Sequence, residues 1–278
     1  MSHSASHATI DRAIGDGIVI DPTLLGPIRT SGELAGQPGA LRERLGEDGY
    51  VYLPSFFRED DITAARQAIF ERLHAVGEIA TPPVAGIFTG ASQRDEKVSS
   101  RGEFWQSVSE TWALRRVSHG PALHGLMADL LDAPTRAQDF IFLRPAGPGK
   151  RTNIHCDSPF FTRTTDQVLT AWIALGDVPL RQGPLFIMEG SHRIDELVEG
   201  YRGFDVARDT DRKAAREESP TDFAQKYQCR ILTNDFGAGD VVTGGHREVL
   251  GVEELAPSGK MIYDQIRSDQ IRSDQIRS

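Results

Sequence analysis

The feature that most constrains this 278-residue chain is a change of texture near Ala137. Before that point apolar residues recur at helical spacing, and after it they come in short runs broken by Gly and Pro. Ile62, Ala65, Ile69, Leu73 and Val76 form one apolar stripe, with Asp60 and Asp61 as candidate N-caps and Gly77 as its stop. A short helix from Leu41 through Leu45 precedes it, followed by a strand over Tyr50 to Leu53 that Pro54 closes. Phe104 to Val117 and Pro121 to Leu131 read as further helices, the second opened by a proline suited to a first helical turn. Beyond Ala137 the spacing predicts strands over Asp139 to Leu143, Asn153 to Cys156, Val168 to Leu175, Leu185 to Met188 and Gly239 to Val242. Helices first and short strands after predict a mainly β protein, an antiparallel core under a helical cover.

One domain over residues 39–263 accommodates this pattern, since β-rich single domains reach such lengths. Residues 1–38, rich in Gly, Ser and Pro, read as an N-terminal arm. The charged insertion at 193–227 reads as a solvated loop or a lid. Residues 264–278 are the pentapeptide DQIRS three times over and read as a low-complexity tail. Lys and Arg total 31 against 40 Asp and Glu, a formal charge of −9 without a basic stripe, which excludes nucleic acid as a partner. No apolar run approaches a membrane span, and the opening residues lack the basic and apolar regions of a signal peptide. A cytoplasmic location is the expectation. The two cysteines, Cys156 and Cys229, make neither a disulfide framework nor a four-thiolate metal site, and Cys156 reads as a small packing residue. Chemistry must come from other groups.

The sharpest local signal is His155-Cys156-Asp157 at the end of a β-like run. Residues two apart on a strand share a face, so an imidazole nitrogen and a carboxylate oxygen there reach one metal ion. His246-Arg247-Glu248 repeats the His-x-acid pattern, so context has to separate the two. Two ligands from one strand and a later histidine make the facial triad of non-haem Fe(II), which leaves coordination positions open for a cosubstrate and dioxygen. His246 is the favoured later histidine. His192, after Glu189-Gly190-Ser191, reads as a turn residue, and His74 as a helix-surface or core histidine.

Six segments in order carry a family resemblance: GEDGYVYLPSFF at 46–57, QDFIFLRPAGPG at 138–149, HCD at 155–157, TAWIALGDV at 170–178, GPLFIMEGSHR at 183–193 and GAGDVV at 237–242. With them the chain resembles the phytanoyl-CoA dioxygenase family of Fe(II)/2-oxoglutarate oxygenases. The resemblance implies a double-stranded β-helix, or jelly-roll, core and a dioxygenase that hydroxylates a small-molecule C–H bond. It also implies Fe(II), 2-oxoglutarate and O2 as cofactor and cosubstrates, His155 and Asp157 as iron ligands, and Gln138 and Trp172 lining the cosubstrate pocket. The chain departs from the pattern at its end. His246 follows Asp240 more closely than members place their distal histidine, and Pro257 stands where they carry arginine. Lys260 is the first substitute for that arginine and Arg267 the second, although only a guanidinium binds a carboxylate bidentately.

Two other functions compete. One is a non-catalytic jelly-roll protein of the same family with a degenerate C-terminal half-site. The other is a zinc hydrolase using His155, Asp157 and His246, because three protein ligands plus water also suit catalytic zinc.

Overall fold

The computed structural model describes residues 13–15, 18–138, 141–143, 152–161, 165, 167–245, 250–252 and 265–273. A small hairpin, β1 (Ala13–Gly15) and β2 (Ile18–Ile20), leads to a short strand β3 (Leu25–Pro27). Helix α1 (Pro38–Asp48) starts on a proline and runs past Gly46. Gly49, at φ 85°, ends it by returning its N–H to the Leu45 carbonyl. After β4 (Tyr50–Leu53) comes α2 (Glu59–Ala75), which buries Ile62, Ala65, Ile69, Phe70 and Leu73. Asp60 and Asp61 do not cap it. Arg58 holds the N-cap position, and both aspartates lie in the first turn, where their charge favours the positive end of the helix dipole.

The single helix expected over Phe104 to Val117 is two, following a one-turn α3 (Arg94–Lys97). Ser100 caps α4 (Arg101–Ser109) through the Glu103 N–H, and α5 (Trp112–Ser118) begins after extended Thr111, whose hydroxyl bonds back to the Val108 carbonyl at 2.9 Å. Helix α6 (Pro121–Leu131) matches its predicted bounds and buries Leu123, Leu126, Met127 and Leu130.

The strands follow: β5 (Thr135–Ala137), β6 (Ile141–Phe142) and β7 (Thr152–His155), then the one-turn α7 (Ser158–Phe161), β8 (Val168–Ala174) and β9 (Leu185–Met188). The insertion contains α8 (Asp195–Tyr201) and α9 (Pro220–Tyr227), after which come β10 (Ile231–Thr233), β11 (Val241–Gly245), β12 (Leu250–Val252) and β13 (Gln265–Ser273). One sheet has the order β3-β10-β9-β12-β7; the other has β4-β11-β8-β13-β5, with β6 also on β13. From β7 onward the chain crosses repeatedly between them, and every pairing except β3 with β10 is antiparallel.

Side-chain alternation sets the layers. Tyr50 and Tyr52 of β4, Trp172 and Ala174 of β8 and Val242 of β11 pack against Leu185 and Ile187 of β9 and Leu232 of β10, so the two sheets face each other across this cluster. The intervening residues Val51, Leu53, Leu169, Ala171, Ile173 and Val241 pack on α2, α5 and α6. On the outer face of the other sheet, Ile154, Phe186, Met188 and Ile231 pack against Leu197 of α8 and Phe223 of α9. The expected helical cover therefore lies on both sides. Helices hold more of the described residues than strands do, which corrects the mainly β expectation: helices buttress the two sheets and outweigh them. No helix among the described residues is long and apolar enough to cross a membrane.

Candidate metal centre

On β7 the side chain of Ile154 goes outward to the α8 and α9 layer, so alternation turns its neighbour His155 toward the facing sheet. His155 is 7% exposed, and its Nδ1 lies 2.8 Å from the Asn153 carbonyl oxygen. A carbonyl only accepts, so this contact fixes the proton on Nδ1 and leaves Nε2 with the lone pair that a metal takes. Nε2 lies 3.5 Å from Oδ1 of Asp157, which is 2% exposed. That separation lets one cation touch both atoms.

The two residues do not meet by strand alternation. β7 ends at His155, and Asp157 stands in the turn into α7, where its carbonyl accepts the Phe160 N–H at 3.0 Å. Cys156 between them is fully buried, with Sγ 3.2 Å from the Ser158 hydroxyl. Phe160 packs edge-on to His155 at 6.5 Å between centroids and remains 37% exposed, an apolar surface beside the pair.

The insertion closes the free edge of β7. Ala215 bridges to His155, the Arg216 N–H donates to the Ile154 carbonyl at 2.7 Å, and the Val206 N–H donates to the Pro159 carbonyl at 3.0 Å. Tyr201 of α8 ties this stretch down through its hydroxyl to the Ala214 carbonyl at 3.0 Å.

Trp172 lies on the inter-sheet face, 4% exposed and tilted against Phe236 at 4.7 Å. Gln138 follows β5, half-buried, and its carbonyl lies 2.8 Å from His119 Nε2. His246 and Lys260 lie outside the described residues. The strands around them are described, and Leu250 of β12 is in register with His155. Arg267 of β13 is in register with Trp172. His192 sits apart from this centre, against the backbone of Gly46 and Glu47 at the end of α1, where burial lowers its pKa. His74 Nδ1 lies 2.6 Å from the Ile79 carbonyl just beyond α2.

Thr170 went unremarked in the sequence. It is 6% exposed and its hydroxyl has no hydrogen-bond partner. Its spacing from Trp172 in Thr-Ala-Trp is the signal that was there to be used, since residues two apart on a strand share a face. An imidazole and a carboxylate suit a borderline metal such as iron, and an orphan hydroxyl on the inter-sheet face suits an oxygen-bearing ligand. Among the described residues no third His, Cys, Asp or Glu completes a metal-binding group with His155 and Asp157.

The family model described as Phytanoyl-CoA dioxygenase (PhyH) matches residues 45–226. Phytanoyl-CoA dioxygenase domain-containing protein 1 from Mus musculus is 26% identical over 191 residues, 56% of this chain and 65% of that protein. The aligned region thus spans just under two thirds of the mouse protein. Among solved structures, the non-heme alpha ketoglutarate dependent carbocyclase SnoK from nogalamycin biosynthesis matches with a TM-score of 0.55 at 24% identity, over 89% of this chain and 87% of that one. The epimerase SnoN in complex with Fe3+, alpha ketoglutarate and nogalamycin RO matches with a TM-score of 0.54 at 19% identity, over 85% and 83%. These two likenesses establish the shared fold.

Proposed function

The chain belongs to the phytanoyl-CoA dioxygenase family, and on that premise we propose that it hydroxylates a C–H bond of a small molecule, with 2-oxoglutarate and O2 as cosubstrates. The family depends on Fe(II), 2-oxoglutarate and O2, and those are the cofactor and cosubstrates of this class. In the reaction, substrate C–H, 2-oxoglutarate and O2 become alcohol, succinate and CO2. The crossing of strands between two facing sheets supports a double-stranded β-helix core in this chain.

His155 and Asp157 would hold the iron together with His246. The observation that carries this reading is the buried pair itself, with Nδ1–H committed to the Asn153 carbonyl and Nε2 turned to Asp157. Bound iron with its cosubstrates supplies the oxidising power; the chain supplies position and a dry wall. Trp172 and Gln138 would line the cosubstrate. The basic candidates for its distal carboxylate are Lys260 and Arg267; register sets Arg267 opposite Trp172, and a guanidinium grips a carboxylate with two parallel hydrogen bonds. Phe160, half-exposed beside His155, favours a substrate with an apolar face at the reacting carbon. The carbocyclase and epimerase named above are proteins of the same fold with other outcomes.

A second reading has an observation of its own. Residues 227–278, which carry His246, Lys260 and Arg267, lie beyond the matched span 45–226. A relative that keeps the fold and has lost turnover fits that limit. Anaerobic titration with Fe(II) and 2-oxoglutarate separates the two, because a chelated 2-oxo acid gives a weak visible charge-transfer band. The expected result is a band that is lost in His155→Ala, Asp157→Ala and His246→Ala, with succinate released in air once a substrate is supplied. No band in the parent chain establishes the second reading, and a band that survives His246→Ala removes His246 from the ligand set.

A further inference from the structure

β7 ends at His155 and α7 begins at Ser158, so the link that carries Asp157 consists of Cys156 and Asp157 alone. In a link that short, a shift of either end moves the carboxylate against the imidazole, and the 3.5 Å between Nε2 and Oδ1 depends on both ends being fixed. The charged insertion fixes both. Just before the pair, the Arg216 N–H donates to the Ile154 carbonyl at 2.7 Å and Ala215 bridges to His155. Just after it, the Val206 N–H donates to the Pro159 carbonyl at 3.0 Å. Both donors belong to residues 202–219, the connection between α8 and α9. One segment of chain therefore grips the metal-bearing turn at its two ends.

A grip of this kind holds only if the gripping segment is itself held, because ordering loose chain costs more than two main-chain hydrogen bonds return. Near Val206, Phe204 is 3% exposed, with the Arg212 guanidinium over its ring at 4.1 Å. At the other end Ala214 is buried, and its carbonyl accepts the Tyr201 hydroxyl. Arg216 joins that end to both helices. Its Nε donates to Glu218, its Nη2 donates to the Tyr227 hydroxyl at 3.3 Å, and its guanidinium lies 5.7 Å and 5.9 Å from the ring centroids of Phe223 and Tyr227. The Tyr227 hydroxyl in turn donates to Glu196 of α8 at 3.0 Å. Leu197 and Phe223 seat the two helices on Ile154 and its sheet. A continuous path thus runs from α8 and α9 through the Arg216 guanidinium to its own N–H, and from there to the carbonyl one residue before His155.

We propose that Arg216 is a positioning residue for the metal centre: anchored on α9, it fixes residues 215 and 216 along β7 and, together with Val206 on Pro159, sets the spacing of His155 and Asp157. The proposal rests on the reading of that pair as metal ligands. It makes the insertion a clamp that is closed before any metal arrives, where the sequence left a solvated loop and a lid open.

The test titrates Mn(II) calorimetrically into the parent chain, Arg216→Ala, Arg216→Lys and Lys213→Ala, and records the electron paramagnetic resonance spectrum of the bound ion at saturation. Lys213 pairs with Glu217 on the exposed side of the same segment and serves as the control. Arg216→Ala is expected to weaken Mn(II) binding about tenfold, as loss of a group that orients a ligand does, and to change the spectrum of the ion that still binds. Arg216→Lys keeps the charge and the stem but not the planar fork, and is expected to recover most of the affinity, to within about threefold of the parent. Lys213→Ala is expected to stay within about twofold, with the parent spectrum. If Arg216→Ala does not fold, Arg216→Lys decides by its affinity and spectrum. An arginine that only stabilises the fold would lower the melting temperature and leave both readouts at parent values; that result, or a loss in Lys213→Ala equal to that in Arg216→Ala, overturns the assignment while leaving the metal pair intact. A parent chain that binds no Mn(II) overturns the reading of His155 and Asp157 as ligands, and this proposal with it.

Discussion

Asp157 and Asp240 are both buried carboxylates, 2% and 3% exposed, at different places in the fold. Asp240 closes the Gly237–Asp240 turn. Its oxygens accept from the Tyr52 hydroxyl at 2.7 Å, the Ser55 N–H at 2.8 Å and the Gly237 N–H at 2.9 Å, which ties β4 and the turn before β11 into one unit. Asp157 stands where a strand has just ended, with the imidazole of His155 at 3.5 Å, beyond hydrogen-bond length. Burial alone therefore does not mark a functional carboxylate. On the proposed reading, Asp240 serves the fold and Asp157 serves a cation.

The largest expected effect tests that contrast directly. Asp157→Ala should lower Fe(II) or Mn(II) affinity at least about a hundredfold, since it removes a ligand rather than a supporting group, with a melting temperature close to that of the parent. Asp240→Ala should do the reverse. It leaves the buried Tyr52 hydroxyl and two partly buried backbone N–H groups unpaired at a cost of about 2–4 kcal/mol, which for a chain this long lowers the melting temperature by roughly 4–16 °C, with metal affinity within about threefold of the parent. Calorimetric metal titration and thermal unfolding of both variants check the contrast. If Asp157→Ala unfolds the chain and spares metal binding, the contrast is wrong.

A smaller effect sharpens the Asp157 side. Asn153 supports His155 through its backbone carbonyl, so Asn153→Ala should leave metal affinity within about threefold, whereas His155→Gln should lose it. Equal losses in the two variants would mean that the Asn153 side chain is itself involved.

How much of this was legible follows from the range of each signal. Helix α6 and strand β9 were readable to the residue, because a proline start and a Gly/Pro-bounded apolar run are local signals. Strands β3, β5 and β10 were not: each is three residues long, and β3 exists through parallel pairing of Leu25 with Ile231, a contact some two hundred residues away in sequence. The break between α4 and α5 falls at Thr111, whose N–H and hydroxyl both bond back to the Val108 carbonyl, which no periodicity shows. The His155 and Asp157 spacing pointed to the right neighbours by a route the structure does not take, because a turn brings them together where alternation was expected. Thr170 was hidden for a different reason. Threonine in a strand is ordinary, and only the missing partner, a property of the assembled sheets, makes it stand out.

The smallest expected effect tests the Asp240 side through pH. The Tyr52 phenol is buried and donates to a carboxylate, so loss of its proton would place two negative charges together out of water. Burial first, and the Asp240 charge second, raise its pKa above the ordinary 10. A folded-state pKa above the unfolded value means that the folded chain retains this proton while the unfolded chain releases it. The stabilisation is therefore fully present below pH 10 and declines as pH rises from there toward the folded-state value. Tyr52→Phe has no such proton. Near neutral pH it should be less stable by about 1–2 kcal/mol for the lost charged hydrogen bond. Above pH 10 the parent should lose stability faster than the variant, and their denaturation midpoints should converge. Parallel curves through that range would mean that the Tyr52 hydroxyl is not the group that holds Asp240, and the division between a structural and a ligand-holding carboxylate would then rest on the two backbone N–H groups alone.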